Sequence, residues 1–256
     1  MDITDFPEPE IRSLAAQAPA VFPSSMTQST TVNTIIEKLN TANLEKDLTK
    51  LTEFHNRYYK SSYGNQSSTW LQSRVQEVVD ASGAKGISVS AFKHTWAQSS
   101  IIAKIPGKST KTIVVGAHQD SINLQDPTNG RAPGADDNGS GSITILESLR
   151  ALLTDPTIAK GEAENTIEFH WYSAEEAGLL GSQAIFKSYA SAKVDVKAML
   201  NQDMTGYVKS GGEGQMGIVT DNTDGALTSF ATKVIASVSS LVKPSTKVCY
   251  LQCRLN

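Results

Sequence analysis

Four short segments hold the residue types that perform hydrolytic or metal chemistry: Gly116-Ala-His-Gln-Asp120, Pro133-Gly-Ala-Asp-Asp-Asn-Gly-Ser-Gly141, Ser173-Ala-Glu-Glu-Ala-Gly178 and Asn201-Gln-Asp-Met204. Each contributes an acid, and the first adds an imidazole, His118. So many carboxylates brought to one place repel one another unless a cation sits among them. A divalent metal is the simplest such cation, and zinc accepts this mixture of imidazole nitrogen and carboxylate oxygen. Two ions can share a hydrolytic site about 3.5–4 Å apart, so a two-metal centre is the leading reading. Glycines around Asp136 and Asp137 let the backbone turn tightly enough to aim an acid inward. Glu175 and Glu176 are neighbours at a strand end and point in different directions, so one can ligate while the other faces a reacting water.

These segments need elements to carry them. Lys111 to Ala117 is a continuous apolar run, as expected of a strand covered on both faces, and Asn165 to Tyr172 and Val196 to Leu200 read as further strands. Helices are expected where apolar residues recur at three- and four-residue steps: Leu44 to Tyr58, Trp70 to Val79 after a Gly64-Asn65 break, Ile143 to Leu153, Ala177 to Ala190 and Ala226 to Val242. Ile87 to Phe92 and Ser100 to Ala103 read as a hairpin, and Gln215 to Val219 as a strand after a Gly211-Gly212 turn. Alternating strands and helices predict a three-layer α/β sandwich, with helices flanking a central, mostly parallel mixed sheet. In such sheets the ligand site lies at the carboxyl ends of the strands, where the four segments fall.

Composition excludes other classes. The 256 residues are 39% hydrophobic and 19% charged, enough for a sizeable core and unlike a disordered chain. Lys+Arg 23 against Asp+Glu 26 leaves a net charge of −3 without a basic stripe, which argues against nucleic acid and anionic membranes as partners. No apolar run approaches the roughly 20 residues of a membrane helix. A phosphate-cradling role for Gly134 to Gly141 fails because Asp136 and Asp137 repel phosphate and no lysine accompanies them. No Gly-x-Ser-x-Gly elbow supports a serine hydrolase.

The segments Gly116 to Asn123, Ala132 to Gly141, Glu168 to Phe186 and Gln202 to Tyr207 resemble those of the dizinc aminopeptidase family, most closely its extracellular fungal leucine aminopeptidases. The resemblance implies a zinc-peptidase-like fold and hydrolysis of N-terminal residues, leucine or other apolar ones, from peptides with a free N-terminus. It implies that His118 and Asp203 hold one zinc, Asp137 bridges and Glu176 holds the other, with Asp120 orienting His118 and Glu175 as general base. A secreted, monomeric enzyme is expected from the same kinship, with a sequon at Asn65-Gln66-Ser67 in a loop and a Cys249–Cys253 disulfide as one of two readings, reduced thiols being the other.

Two departures shape the expectations. The family's fifth ligand is a histidine downstream of the cysteines, whereas the histidines here are His55, His94, His118 and His170 and the chain stops at Asn256. The tail from Thr246 therefore reads as truncated, misspliced or frame-shifted, leaving one of the two zinc sites incomplete and the family's closing strand missing. Residues 1–20 read as a leader or prosegment remnant without a signal peptide, and 21–256 as a catalytic domain lacking the family's C-terminal part. The rival reading is a non-catalytic or single-metal relative acting as a binding or regulatory protein.

Blander roles are assigned elsewhere. His170, flanked by aromatics, reads as packing, and His55 and His94 as surface or hydrogen-bonding residues. Asp221 and Asp224 read as a solvated turn and a helix cap, and Trp96 as core. Asn138-Gly139-Ser140 reads as an accidental sequon, too close to the metals to be used.

Overall fold

The structure is a computed structural model that describes residues 22–208, 210 and 216–238, and the backbone of 250–254. In chain order the strands are β1 (Ser88–Phe92), β2 (Ser100–Ile105), β3 (Ser109–His118), β4 (Asn165–Tyr172), β5 (Val196–Asp203) and β6 (Tyr250–Arg254). The helices are α1 (Ser29–Ile36), α2 (Thr41–Glu53), α3 (Ser62–Ser82), α4 (Gly141–Leu152), α5 (Pro156–Ala159), α6 (Leu180–Ala192) and α7 (Gly225–Val238).

One sheet holds all six strands in the order β1-β2-β4-β3-β5-β6. β3 pairs in parallel with both β4 and β5, while β1, β2 and β6 are antiparallel to their neighbours. The sheet is thus mixed with a parallel centre, and the expected α/β architecture is what the chain adopts.

Alternation along the strands divides the core. Ile101, Ala103 and Ile105 of β2, Ala117 of β3 and Phe169 and Trp171 of β4 pack with Leu51 of α2, Leu71 and Val75 of α3, and Ile143, Leu146 and Leu149 of α4. Ile102 and Tyr172 turn the other way and meet Ile185 of α6. Leu227 and Ala231 of α7 lie against Ala198 and Leu200 of β5. Each fully buried aliphatic side chain contributes about 1.5–3 kcal/mol of transfer free energy, which fixes which face of each helix turns inward.

Several boundaries differ from expectation. α2 ends at Glu53, so Phe54 and Tyr58 lie beyond it. Gly64 and Asn65 do not break a helix: they lie in the first turn of α3, where the Ser61 hydroxyl accepts from the Gly64 N–H. Glycine is required at 64 because a Cβ would collide with the Tyr58 carbonyl. The Asn65 sequon therefore sits on a helix, with the buried Ser67 hydroxyl donating to the Gly64 carbonyl. α6 begins at Leu180, after Gly178 and Leu179 have turned at positive φ.

In place of a strand over Gln215 to Val219, Gly217 and Ile218 make only an isolated bridge. The sheet edge beyond β5 is closed by β6, where apolar patterning predicts no strand, with Leu200 opposite Cys253. Gln215, the Gly211-Gly212 turn, residues 1–20, Cys249 and the Cys253 side chain lie outside the described residues, as do residues 239–242 of the last expected helix.

Candidate metal centre

Because β4, β3 and β5 are parallel, their carboxyl ends share one edge. His118 is the last residue of β3 and Asp203 the last of β5, and the pairing of Gly116 with Asn201 sets them level. Beyond β4 the chain turns at Ala174, φ 57°, into Glu175, and beyond β5 it turns at Met204, φ 45°. Such left-handed non-glycine residues cost of order 1–3 kcal/mol each, a strain that the surrounding packing holds. Asp137 arrives from the turn Ala135–Ser140, entered through Gly134 at φ 48°, where a Cβ would stand 2.6 Å from that of Ser121. The Asp137–Asn138 peptide bond is cis.

These segments converge on the Nε2 of His118, which lies 3.1 Å from Asp137 Oδ1, 3.6 Å from Asp203 Oδ1 and 3.8 Å from Glu175 Oε2. One ligand atom each from His118, Asp137 and Asp203 lie within 4.8 Å of one another. Among the described residues the buried Oδ1 of Asp203 has no hydrogen-bond partner. An imidazole nitrogen and two carboxylates, one with a buried oxygen not engaged elsewhere, fit a zinc ion. Glu176 stands outside that trio and lines, with Asp137, an open cavity of about 600 Å³.

The electrostatics follow from this crowding. Burial alone would disfavour a charged His118, but Asp120, Asp137 and Asp203 outweigh it and hold the imidazole well above its usual pKa. Hydrogen bonding to His118 pulls Asp137 below the usual carboxylate range, against the effect of burial. Glu176 is pushed up to about 7, first by burial and then by Asp137, and Glu175 is raised by burial and by the surrounding acids. Protons thus do at this edge what a divalent cation would do better.

Asp120 does more than face His118. Its Oδ1 lies 3.4 Å from His118 Nδ1, a contact without hydrogen-bond alignment. Both its oxygens accept backbone N–H groups, Oδ1 from Glu175 at 3.0 Å and Oδ2 from Glu176 at 3.1 Å. Asp120 therefore ties the end of β4 to the end of β3.

Two residues with positioning roles escape the sequence reading. The buried Asn138 donates to the Gln202 carbonyl and accepts from the Gly141 and Met204 N–H groups, holding the Asp137 turn against both sides of Asp203. Arg57, fully buried, donates from Nε to the Gln119 carbonyl and from its terminal nitrogens to the Pro133 and Gly134 carbonyls. Burial lowers its pKa to about 10, with Asp120 and Asp137 opposing the shift, so it stays charged beneath the acids at neutral pH. An asparagine inside a glycine-rich turn and an arginine far upstream carry no spacing signal that would mark them. Asp136, next to Asp137, is spent elsewhere: its Oδ1 accepts from the Gly206 N–H and the Ser140 hydroxyl.

The remaining histidines are held away from this centre. His170 is buried against Phe186 and Tyr189 and pairs with Glu168 at 3.0 Å. His55 meets the Asn129 carbonyl at 2.7 Å and His94 the Ser100 hydroxyl at 2.8 Å. Asp224 caps α7 through the Leu227 N–H. Trp96 is half-buried rather than core: its ring stacks on His94 and its indole N–H donates to Ser173.

Comparison with known proteins supplies the family. Peptidase family M28 matches residues 100–249. Leucine aminopeptidase 1 of Arthroderma otae is 53% identical over 255 residues, covering 97% of this chain and 68% of that protein. Leucine aminopeptidase 1 of Aspergillus oryzae is 51% identical, over 98% of this chain and 66% of that protein. The crystal structure of the LapA aminopeptidase of Legionella pneumophila superposes with a TM-score of 0.79 at 28% identity, over 93% of this chain and 67% of that one. The chain thus spans about two thirds of the length of these relatives. With the ligand set at the sheet edge and about half the residues shared with the fungal leucine aminopeptidases, the chain belongs to peptidase family M28 and is a metal-dependent hydrolase of the aminopeptidase type.

Proposed function

We propose that the protein releases N-terminal residues, leucine and other apolar ones foremost, from peptides outside the cell, using two zinc ions. The observation that carries this reading is the convergence of His118, Asp137, Asp203 and Glu175 at one edge of the sheet. His118 and Asp203 would hold one ion, Asp137 would be shared, and Glu176 would hold the other. Bound zinc would supply acidification of water and polarisation of the scissile carbonyl.

The chain's own groups do the rest. Glu175 lies 3.8 Å from His118 Nε2 and is raised above the usual carboxylate value, chiefly by burial, a direction that suits a group that takes a proton from the attacking water and returns it to the departing amine. Asp120 fixes the backbone from which both glutamates project. The surplus of acids attracts the ammonium of a substrate's free N-terminus, which favours exopeptidase action. Among the described residues no helix is long and apolar enough to cross a membrane.

Glu175→Gln separates metal binding from proton transfer. Its zinc content should match the wild type, two per chain, while release of a chromogenic amine from a leucyl substrate falls by about 10²–10⁴-fold, the usual contribution of a general base. Wild-type protein holding one zinc or none and turning nothing over would overturn this reading in favour of a binding or regulatory relative.

A further inference from the structure

The cavity that exposes Asp137 and Glu176 also contains Arg131, the one cation among its lining residues. Among the described residues the Arg131 guanidinium has no hydrogen-bond or ion-pair partner, although acids lie within the same cavity. Its backbone, in contrast, is pinned on every side. The Arg131 carbonyl accepts from Asn123 at 3.2 Å, the Gly130 N–H donates to Asp126 at 2.7 Å and the Ala132 N–H to His55 at 2.9 Å. The Ala132 carbonyl accepts from Ser121 at 2.7 Å, and the Pro133 carbonyl from the buried Arg57. A free cationic side chain on a fixed backbone is preorganised for an anion: only its own rotamers remain to be ordered on binding.

A short peptide with free ends is a zwitterion, and this cavity carries both complementary signs. Its ammonium is attracted to the acids around His118, which leaves the carboxylate of the departing part to be met by the guanidinium. At about 600 Å³ the cavity lies within the ~300–1,000 Å³ of small-ligand sites, room for a peptide of a few residues. Leu124, 80% exposed in the same lining, offers apolar surface to the side chain that follows the scissile bond.

We propose that Arg131 is a subsite for a carboxylate on the departing peptide, so that the enzyme favours short peptides with a free C-terminal carboxylate over their amides. This rests on the aminopeptidase reading above, and it names the substrate class. When the leaving part is a single residue, the terminal carboxylate is the anion it always carries; an acidic side chain offers the same chemistry.

Binding to the zinc-loaded full chain tests it without turnover. The affinities of leucyl-N-methylglycine and of its amide are compared by calorimetry for wild type and for Arg131→Gln, a substitution at an exposed position. The wild type should prefer the acid by roughly three- to tenfold, the range of an exposed to partly desolvated guanidinium–carboxylate pair. Arg131→Gln should abolish that preference while the amide's affinity moves less than twofold. A parallel pair blocked in the same way, leucyl-N-methylglutamate amide against leucyl-N-methylglutamine amide, tells whether a side-chain carboxylate is also accepted. Equal wild-type affinity for acid and neutral forms in both pairs, a preference that survives Arg131→Gln, or an equal loss for acid and amide would each overturn the proposal. Absence of wild-type leucyl p-nitroanilide turnover would instead overturn the aminopeptidase reading, and the binding comparison would still decide the role of Arg131.

Discussion

Asn138 shows how one amide sets the distance between two carboxylates. Its three hydrogen bonds reach the Gln202 carbonyl and the Met204 N–H, on either side of Asp203, and the Gly141 N–H at the start of α4. Asp137 is adjacent in sequence, so the same clamp brings both acids to His118. Asn138→Ala leaves buried backbone groups unsatisfied, and denaturant unfolding of the zinc-free protein should register a loss of about 1–3 kcal/mol. Zinc affinity, measured by competition with a chelator dye, should fall in the same variant by about 10–100-fold, as for other groups that orient ligands. Unchanged zinc affinity would show that Asp137 and Asp203 find each other without the clamp. The role of Asn138 is not legible in the sequence, where an amide in a glycine-rich turn looks like turn chemistry. His118 and Asp120 are legible because they follow an unbroken apolar strand. The division of labour between Asp136 and Asp137 comes only from the family resemblance and not from spacing, since it depends on which one the turn points at Gly206.

At the scale of elements, the connection between β1 and β2 folds back as a small aromatic shelf, with His94 stacked on Trp96 at 4.3 Å and tilted against Phe92 at 5.1 Å. Burial lowers the His94 pKa to about 4. Between pH 6.5 and 4 the unfolded chain therefore takes up a proton that the folded chain refuses, so stability falls as pH falls through that window. His94→Gln should flatten that part of the stability–pH curve, and proton NMR of the wild type should place the His94 midpoint near 4. A midpoint near 6.5 would show that the shelf opens to water. The hairpin is legible from its β-branched runs, but the shelf is not, because it depends on contact with Tyr59 and Ser173 from distant segments. The boundaries of α3 and α6 escape periodicity for a local reason: capping at Ser61 and the positive φ at Leu179 decide where each helix begins.

Over the whole molecule, Arg57 links the segment between α2 and α3 to the end of β3 and to the loop that leads to Asp137. Arg57→Met removes a buried cation and leaves the Gln119 and Pro133 carbonyls without a donor, the Gly134 carbonyl keeping the Gly139 N–H, so the unfolding free energy measured in urea should fall by at least about 2 kcal/mol, and zinc affinity should fall with it. Arg57→Lys keeps the charge but not the planar fork, and is expected to recover only part of the loss. A silent Arg57→Met in both measurements would mean that the loop is held by Asn56 and Ser121 alone. Apolar runs and helical periods along the chain specified the alternation of strands and helices, and the acids after the strands specified the chemistry, because both follow from residue type and local spacing. Tertiary structure alone decided that a sixth strand closes the edge beside β5, that Asp120 grips the glutamate backbone, and that one buried arginine braces the metal loop. Those contacts join residues tens of positions apart, and at such separations it is the packing of the folded chain, not the order of residues along it, that chooses the partner.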